Sequence, residues 1–316
     1  MAATAPPVTT GAPAPKGPLR MTPGRVAALV IGIPVALALI ANSAFSLLAP
    51  FAEGRYQVSY TAPVTTKTVS MNSSGGRVTV GPTSGDRVTL SGTAHYSFIR
   101  STFSTQTNGS DTAMKYHCAP LPSSNCGLDA TLGVPAGLPI TVSTDGGDAT
   151  VSGISGPATL HSDGGNLTAD GVTGAVKLDT NGGNILLNAL TAPVTASTNG
   201  GNIEGTDVSS HIVTIHTDGG NIRMTGLKSS QVTASTNGGN IEIDFTAPPR
   251  NVDVDTSGGN ITLVVPPGTE KYYVRTHTDG GTISDPGAAF TGGSDSRNTI
   301  IATTGGGNIT LRQATQ

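Results

Sequence analysis

The sequence contains no tryptophan, and aromatic residues make up only 4% of its 316 residues. A globular core ordinarily depends on large aromatic side chains, so a compact domain around one such core is disfavoured. Charged residues are also few, at 12%, and the formal net charge of -3 gives no electrostatic basis for binding nucleic acid. Glycine, in contrast, is abundant, with 43 residues. This composition is typical of a repeat protein that stacks small aliphatic side chains.

Cysteine is nearly absent as well, since Cys118 and Cys126 are the only two. Their spacing matches no zinc motif and no second pair exists, so we expect no metal site at these residues. If the chain is exported, an oxidising environment favours a disulfide that closes the short loop between them. Two free thiols are the alternative if the chain is not exported.

A short phrase recurs nine times in the second half of the chain. It consists of Thr or Ser, then an Asp, Asn, Ser or Gly, then two glycines and a polar residue. The copies begin at Thr144, Ser162, Thr180, Thr198, Thr217, Thr236, Thr256, Thr278 and Thr304. The intervals between them are 18, 18, 18, 19, 19, 20, 22 and 26 residues. A period near twenty is typical of repeats that stack on one another.

Each repeat predicts two short strands. An aliphatic residue follows each phrase, and polar and apolar residues then alternate, as in Ile241-Glu242-Ile243. A second run with apolar residues at alternate positions, such as Val194 and Ala196, closes the repeat. Eighteen residues cannot hold the helix of a βαβ crossover. We therefore predict an all-β fold, a single-stranded parallel β-helix or β-solenoid with coils about 4.8 Å apart and the right-handed path that parallel crossovers favour.

The glycine pairs predict one tight corner in every coil. Glycine adopts a positive φ without a steric penalty, and the preceding Asp or Asn suits a turn. The asparagine after the glycines is expected to form a hydrogen-bonded ladder from coil to coil, and the threonine before them a second ladder. The predicted ladder and turn residues are Asn166, Asn184, Asn202, Asn221, Asn240, Asn260, Asn308, Gly182, Gly183, Gly200, Gly201, Gly219, Gly220, Gly238 and Gly239.

Two segments precede the β region. Residues 1–24 are rich in Ala, Pro and Thr and cannot bury enough apolar surface to fold, so we predict a disordered cytoplasmic tail. Residues 25–52 are predicted to form a transmembrane signal-anchor helix, because the run from 26 to 52 carries no charge and can cross a hydrocarbon core of about 30 Å.

The charges that flank the apolar run predict its orientation. Lys16, Arg20 and Arg25 precede it, so the positive-inside rule places the N-terminus in the cytoplasm and the repeats outside a plasma membrane that is crossed once. A cleaved signal peptide is the rival interpretation. Its small-residue cleavage site, Ala36-Leu37-Ala38, would lie inside the apolar run, which favours the uncleaved anchor.

The β region is predicted to have two parts. Residues 141–316 form the solenoid repeats, and residues 53–140 form an N-terminal β region and cap. Within the cap, residues 97–128 depart from the repeat and carry both cysteines, so we interpret them as an insertion or hairpin that covers the first coils. A cap is needed because end strands expose unpaired backbone groups. A second insertion, residues 285–298, precedes the last coil.

Three patterns of polar residues suggest metal sites or catalysis. His161, His216 and His277 share an outward column, but three coils separate successive members, or about 14 Å, which is too far for one zinc ion. Corner Asp and Asn residues suggest calcium, but the repeat is twice as long as calcium-binding β-roll repeats, and turn chemistry explains them better. We therefore predict no metal and no cofactor.

The third pattern is the only arrangement that suggests catalysis. Asp253 and Asp255 share one face and are expected to lie beside Arg275 in the next coil. Polysaccharide-active enzymes need such paired carboxylates, but mixed charges on an outward sheet face are usually a solvated surface. The sequence predicts no catalytic residue.

A row of hydroxyl groups is predicted on the outward face of the second strand. Thr195 with Ser197, Thr214 with His216 and Thr233 with Ser235 form it. Such a flat, regular array could bind glycan or ice. The alternative is that threonine simply suits exposed strand positions.

The charged tail, the single anchor and the repeated [TS]-[DN]-G-G-N-[IL] motif resemble a family of bacterial envelope proteins, the candidate adhesins with a β-strand repeat domain of unknown function. The resemblance covers residues 69–311 and the anchor. It implies a membrane-anchored, surface-exposed β-helix with no catalytic residues to carry over. Some relatives look linked to envelope-stress operons, which implies a second functional class.

We accordingly predict a membrane-anchored extracellular protein that binds a cell-envelope or surface ligand, either a glycan or a protein, without catalysis. An accessory or regulatory component of an envelope-stress response is one alternative, and a polysaccharide-active β-helix enzyme is another. The predicted membrane contact is residues 26–52. We make no prediction of oligomeric state.

Overall fold

The computed structural model describes residues 23–48, 53–63, 65–119, 125–285 and 288–315. The chain divides into two compact units, residues 1–48 and 49–316, which we describe separately.

The first unit contains one helix, α1 (Pro23–Leu48), with Pro34 inside it. Side chains of this helix are described for residues 30–43. Among the residues that the structure describes, no helix is both long and apolar enough to span a membrane, so the predicted transmembrane helix is not supported. Most of the predicted tail, residues 1–22, lies outside the described residues.

In the described residues of the second unit, the regular secondary structure is strand apart from a short 3-10 turn at Ala288–Phe290. In chain order the strands are β1 (Glu53–Thr61), β2 (Thr68–Ser73), β3 (Val78–Pro82), β4 (Thr89–Ser97), β5 (Thr102–Asn108), β6 (Asp111–His117), β7 (Gly127–Val134), β8 (Ile140–Thr144), β9 (Ala149–Ser152), β10 (Ala158–Ser162), β11 (Leu167–Asp170), β12 (Val176–Thr180), β13 (Ile185–Asn188), β14 (Val194–Thr198), β15 (Ile203–Thr206), β16 (Ile212–Thr217), β17 (Ile222–Leu227), β18 (Gln231–Thr236), β19 (Ile241–Phe245), β20 (Asn251–Thr256), β21 (Ile261–Val265), β22 (Tyr272–Thr278), β23 (Ile283–Ser284), β24 (Asn298–Thr304) and β25 (Ile309–Gln313).

These strands form two sheets. Sheet A has the order β1-β4-β7-β3-β9-β11-β13-β15-β17-β19-β21-β25-β23, and sheet B the order β22-β24-β20-β18-β16-β14-β12-β10-β8-β2-β6-β5. Each coil gives one strand to each sheet, and neighbouring coils pair in parallel with equivalent residues opposite one another, as with Val176, Val194 and Val213. The predicted all-β architecture of stacked parallel coils is confirmed.

The core lies between the sheets and is built from small aliphatic side chains. Along β14, Val194 and Ala196 are buried at 1% exposure, whereas Thr195 between them is exposed. The same alternation recurs along β15, where Ile203 is buried and Glu204 is exposed. Each fully buried Val, Leu or Ile contributes about 1.5–3 kcal/mol, so stacked columns of them can stabilise the unit without tryptophan.

The N-terminal end does not follow chain order. The coil β2–β3 lies between coil β6–β7 and coil β8–β9, so residues 97–128, interpreted as an insertion, also contribute strands to the parallel stack. The edges beyond that stack are antiparallel. Strand β4 pairs with β7, β1 pairs with β4, and β5 pairs with β6. These strands cover the backbone that the first coil would otherwise expose.

At the C-terminal end, too, the coils do not stack in the order of the sequence. The last coil in the sequence, β24–β25, lies inside the stack, between β20–β21 and the outermost coil β22–β23. Ile300 therefore lies between Val252 and Val274. The expectation that coils stack in the order of the sequence is wrong at this end, and several predicted neighbours change as a result.

Candidate functional site

Successive Gly-Gly corners are stacked almost without a gap. A Cβ atom added to Gly201 would come within 1.9 Å of the Gly183 carbonyl oxygen in the preceding coil, whereas one on Gly200 would meet nothing closer than 3.8 Å. The second glycine of each pair is therefore required by contact between coils. The predicted reason, a positive φ, is wrong for these corners. Of the glycines with positive φ in the described chain, only Gly76 belongs to a Gly-Gly pair.

At most corners the preceding residue is a threonine with a buried or half-buried hydroxyl that is bonded on both sides. The Thr198 hydroxyl donates to the Gly183 carbonyl oxygen at 2.8 Å and accepts from the Gly201 amide at 3.1 Å. One bond links neighbouring coils and the other closes the corner within its own coil. The same pair of bonds is made by Thr180, Thr217, Thr236, Thr256, Thr278 and Thr304.

The asparagine after each corner forms a ladder with its counterparts in adjacent coils. The backbone N–H of Asn202 donates to Asn184 Oδ1 at 2.8 Å, and the backbone N–H of Asn184 donates to Asn166 Oδ1 at 2.9 Å. The ladder continues through Asn221, Asn240, Asn260 and Asn308. Each of these bonds satisfies a backbone donor that would otherwise lack a partner in the corner.

The corner Asp and Asn side chains also bond from coil to coil. Asn181 Nδ2 donates to Asp163 Oδ1 at 3.3 Å, and Asn237 Nδ2 donates to Asp218 Oδ1 at 3.0 Å. These oxygens therefore have protein partners. Over the ranges that the structure describes, no group of three or more His, Cys, Asp or Glu is placed to hold a metal ion.

The three outward histidines are separate from one another. His161 lies between two carboxylates, with Nδ1 3.0 Å from Asp179 and Nε2 3.4 Å from Asp163. His216 and His277 lie 3.2 Å and 3.0 Å from Asp218 and Asp279. Because β24 is inserted before β22, four coils rather than three separate His216 from His277.

The structure separates the residues of the candidate enzyme site. Asp253 pairs with Ile301 of β24, and Ile301 in turn pairs with Arg275 of β22. Arg275 is therefore two strand spacings from Asp253, or about 9.6 Å, instead of one. The prediction that Arg275 lies in the coil next to Asp253 is wrong. Asp253 and Asp255 remain exposed on one face of β20, but without the basic partner beside them.

The hydroxyl face, which we define as Thr195, Ser197, Thr214, Thr233 and Ser235, is continuous. Thr195, Thr214 and Thr233 lie opposite one another on adjacent strands of sheet B and are all exposed. His216 lies between Ser197 and Ser235 and shares a hydrogen bond of 2.8 Å with Ser235 through Nδ1. At one end the face adjoins a shallow depression of about 400 Å³ that Thr233 helps to line.

The cap is fastened by a disulfide and a buried tyrosine. Cys118 and Cys126 are joined, and residues 120–124 of the loop between them lie outside the described residues. Burial raises the pKa of the Tyr116 hydroxyl, which can donate to the His95 carbonyl at 2.9 Å or the Gly127 carbonyl at 3.0 Å. At the other end, burial and the nearby Glu270 raise the pKa of Tyr272 to about 12. Sequence reasoning predicted the disulfide but identified neither tyrosine as an anchor.

A second feature that sequence reasoning missed is a polar groove at the corner that leads from sheet A to sheet B. His211, Lys228 and Arg250 help to line it. The lengthening of the repeat interval from 18 to 20 residues was the signal that could have located it.

Two parallel sheets joined by stacked glycine corners, with polar outer faces, define a β-solenoid repeat protein. The chain belongs to the Toastrack DUF4097 family, whose model matches residues 134–314. A family of repeat domains of unknown function agrees with the resemblance that the [TS]-[DN]-G-G-N-[IL] motif indicated. No curated protein matches the chain.

Two solved structures show a distant likeness. One is a candidate cell adhesion protein from Clostridium sporogenes, with 11% identity and a TM-score of 0.23, over 83% of this chain and 100% of that chain. The other is a candidate adhesin from Bacteroides fragilis, with 13% identity and a TM-score of 0.40, over 82% of this chain and 97% of that chain. At these TM-scores neither likeness supports an argument about fold or function.

Proposed function

We propose that this chain is a non-catalytic, adhesin-like β-solenoid that binds a glycan or protein of the cell envelope or cell surface through its hydroxyl face. The observation that carries the proposal is the register of that face. Thr195, Thr214 and Thr233 repeat about every 4.8 Å on adjacent parallel strands. Each hydroxyl can both donate and accept a hydrogen bond, which suits a ligand with regularly repeated polar groups.

The chemistry of the hydroxyl face favours binding over catalysis. Its neighbours along the same column are Lys177 and Asp253, which lie at opposite ends of the threonine row. No paired carboxylates of the kind that glycoside hydrolysis requires lie within the five residues of the face. Because the chain lacks tryptophan, recognition of a sugar would depend on hydrogen bonds rather than on stacking. Many weak contacts along a row can sum to useful affinity.

Removal of the threonine hydroxyls tests this proposal. We expect the triple variant Thr195→Val, Thr214→Val and Thr233→Val to bind at least about tenfold more weakly, because valine keeps the β-branched shape but cannot hydrogen-bond. The measurement is binding of the purified full chain to immobilised peptidoglycan, chitin and fibronectin.

The matched control places the same three changes on the other sheet, at Thr150, Thr168 and Thr262, which also lie on outward positions. This control is expected to bind like the parent chain. An equal loss in both triple variants would show that the hydroxyl face has no special role.

Attachment to the plasma membrane is a separate part of the proposal. It is supported by the uncharged run from 26 to 52 and by Lys16, Arg20 and Arg25 before that run. We propose one membrane crossing, with the N-terminus in the cytoplasm and residues 53–316 outside.

Cell fractionation tests the membrane attachment. The full chain is expected to sediment with membranes, to resist extraction by alkaline carbonate, and to lose its β unit to protease added to intact cells. The double variant Leu37→Arg with Leu39→Arg is expected to move to the soluble fraction, because each arginine at the centre of a span costs about 2.5–3.5 kcal/mol. Recovery of the unchanged chain in the soluble fraction would rule out an anchor.

A further inference from the structure

The corner that leads from sheet A to sheet B is where the repeat grows. Between positions that pair in register, the segment around this corner spans 189–193 in one coil and 207–212, 226–231 and 245–251 in the next three. The three longer segments include the strand residues that border the corner, and β17 carries a register shift between Met224 and Leu227. The four segments are 5, 6, 6 and 7 residues long, and the repeat intervals of the same four coils are 18, 19, 19 and 20 residues. Every added residue in these coils therefore lies at this corner, while the Gly-Gly corner keeps its length.

The lengthened corners open a groove of about 310 Å³ on the surface. We name it the basic groove and define it by Ser210, His211, Lys228, Ser230 and Arg250, all of which line it. Three successive coils contribute these residues. Ser209 pairs with Lys228, and the Arg250 amide donates to the Ser230 carbonyl at 3.0 Å. The basic side chains thus come from neighbouring coils about 4.8 Å apart.

The groove carries positive charge without a balancing carboxylate. Of the nine described residues that line it, none is Asp or Glu. Lys228 and Arg250 are exposed, and neither takes part in an ion pair with any carboxylate in the part of the chain that the structure describes. Elsewhere on the solenoid, Arg77 and Arg223 lie against Asp148 and Glu242. The basic groove is therefore a local positive surface on a chain whose net charge is negative.

Serine hydroxyls hold the backbone and the histidine of the groove in place. Ser230 Oγ lies 2.6 Å from His211 Nδ1 and 3.0 Å from the His211 carbonyl oxygen, so the serine and the histidine are held together. Ser210 Oγ donates to the Ile212 carbonyl at 2.8 Å, so its proton is already used within the corner. The groups in the groove that can donate to an oxyanion are therefore a guanidinium, an ammonium and an imidazole, and they approach it from different directions.

We propose that the basic groove binds the phosphodiester groups of an anionic polyol-phosphate or sugar-phosphate chain. A phosphodiester, like a carboxylate, can bind one guanidinium through two oxygens. Its non-bridging oxygens also accept hydrogen bonds over a wider range of directions, so donors from neighbouring coils can bind the same group. The groove is shallow and open, so it cannot enclose a small ion. A chain with repeated phosphates gains affinity because one phosphate can replace another at the same site. This site is separate from the hydroxyl face, and the proposed function does not depend on it.

Binding of the purified full chain to immobilised poly(glycerol phosphate), at about 0.15 M salt, tests the proposal. The double variant Lys228→Gln with Arg250→Gln is expected to bind at least about tenfold more weakly than the parent chain. The matched control, Lys115→Gln with Arg312→Gln, removes the same charge from exposed positions outside the groove and is expected to stay within about twofold. The parent chain is expected to bind polygalacturonate, a carboxylate polymer, at least about tenfold more weakly than poly(glycerol phosphate).

Each other outcome overturns the proposal. No binding by the parent chain, or equal binding by the groove variant, excludes the site. An equal loss in the control variant shows that net charge alone is responsible. Equal affinity for polygalacturonate removes the assignment to phosphate. Circular dichroism of both variants confirms that the β unit remains folded, and the hydroxyl-face triple variant, which is expected to bind poly(glycerol phosphate) normally, separates this site from the proposed function.

Discussion

Replacement of Gly201 by alanine is expected to lower the free energy of unfolding by more than about 3 kcal/mol, whereas the same change at Gly200 is expected to cost less than about 1 kcal/mol. The two glycines are adjacent in one corner. Gly200 contacts the preceding coil through its backbone amide, which donates to the Asn181 carbonyl at 3.0 Å, but only at Gly201 would an added Cβ collide with that coil. A Cβ on Gly201 would come within 1.9 Å of the Gly183 oxygen, so the stacked backbones would have to move apart. Separation at one corner weakens the hydrogen bonds that join the two coils on both sheets.

Urea unfolding of the full chain, followed by circular dichroism, measures both effects. Gly183→Ala provides a replicate, because its Cβ would lie 1.9 Å from the Gly165 oxygen, and Gly182→Ala is the matching control, with nothing closer than 3.9 Å. Equal destabilisation by the first and second glycine substitutions would mean that backbone flexibility, rather than contact between coils, explains the glycine pairs.

The second large effect is expected at Thr198. Thr198→Val preserves shape but removes a hydroxyl that bonds the Gly183 carbonyl and the Gly201 amide. Both backbone groups would lose a bond that is buried at this corner, at a cost of about 1–3 kcal/mol. Thr195→Val, on the exposed face of the same strand, is expected to change stability by less than about 0.5 kcal/mol.

The same denaturant titration distinguishes these outcomes. If Thr198→Val were as mild as Thr195→Val, the buried hydroxyl would be dispensable and the threonine column would reflect strand preference alone. That weaker explanation is the one that sequence reasoning provided, because β-branched residues favour strands wherever they lie.

Much of the architecture is predictable from local patterns. The spacing of the Gly-Gly phrases predicts the length of a coil, and the alternation around Val194 and Ala196 predicts which side chains are buried. The spacing and the alternation recur from coil to coil, so an ambiguous pattern in one repeat can be interpreted from the other repeats. The parallel register of Val176, Val194 and Val213 follows directly from that regularity.

The contacts between coils are harder to predict. Whether Gly201 needs a positive φ or a close neighbour depends on the distance to the coil beneath, which a single repeat does not specify. The position of Arg275 depends on the order of the last two coils. Local patterns predict that β22 and β24 are strands, but each presents similar apolar residues, and the patterns do not determine which of them packs on β20.

The basic groove could be predicted from the sequence only in part. The lengthened intervals are visible in the sequence, and they locate a departure from the plain repeat. That the added residues collect at one corner, and that Lys228 and Arg250 lie in adjacent coils there, requires the strand register.

The order in which coils β22–β23 and β24–β25 stack constrains how the β unit can fold. A regular solenoid can grow by adding each coil to the previous one as the chain leaves the ribosome or the membrane. Here coil β22–β23 cannot dock in its final position until β24–β25, which follows it in the sequence, has taken the place beneath it. These two coils must therefore dock together, and a chain that lacks β24–β25 loses an internal layer rather than a dispensable tip.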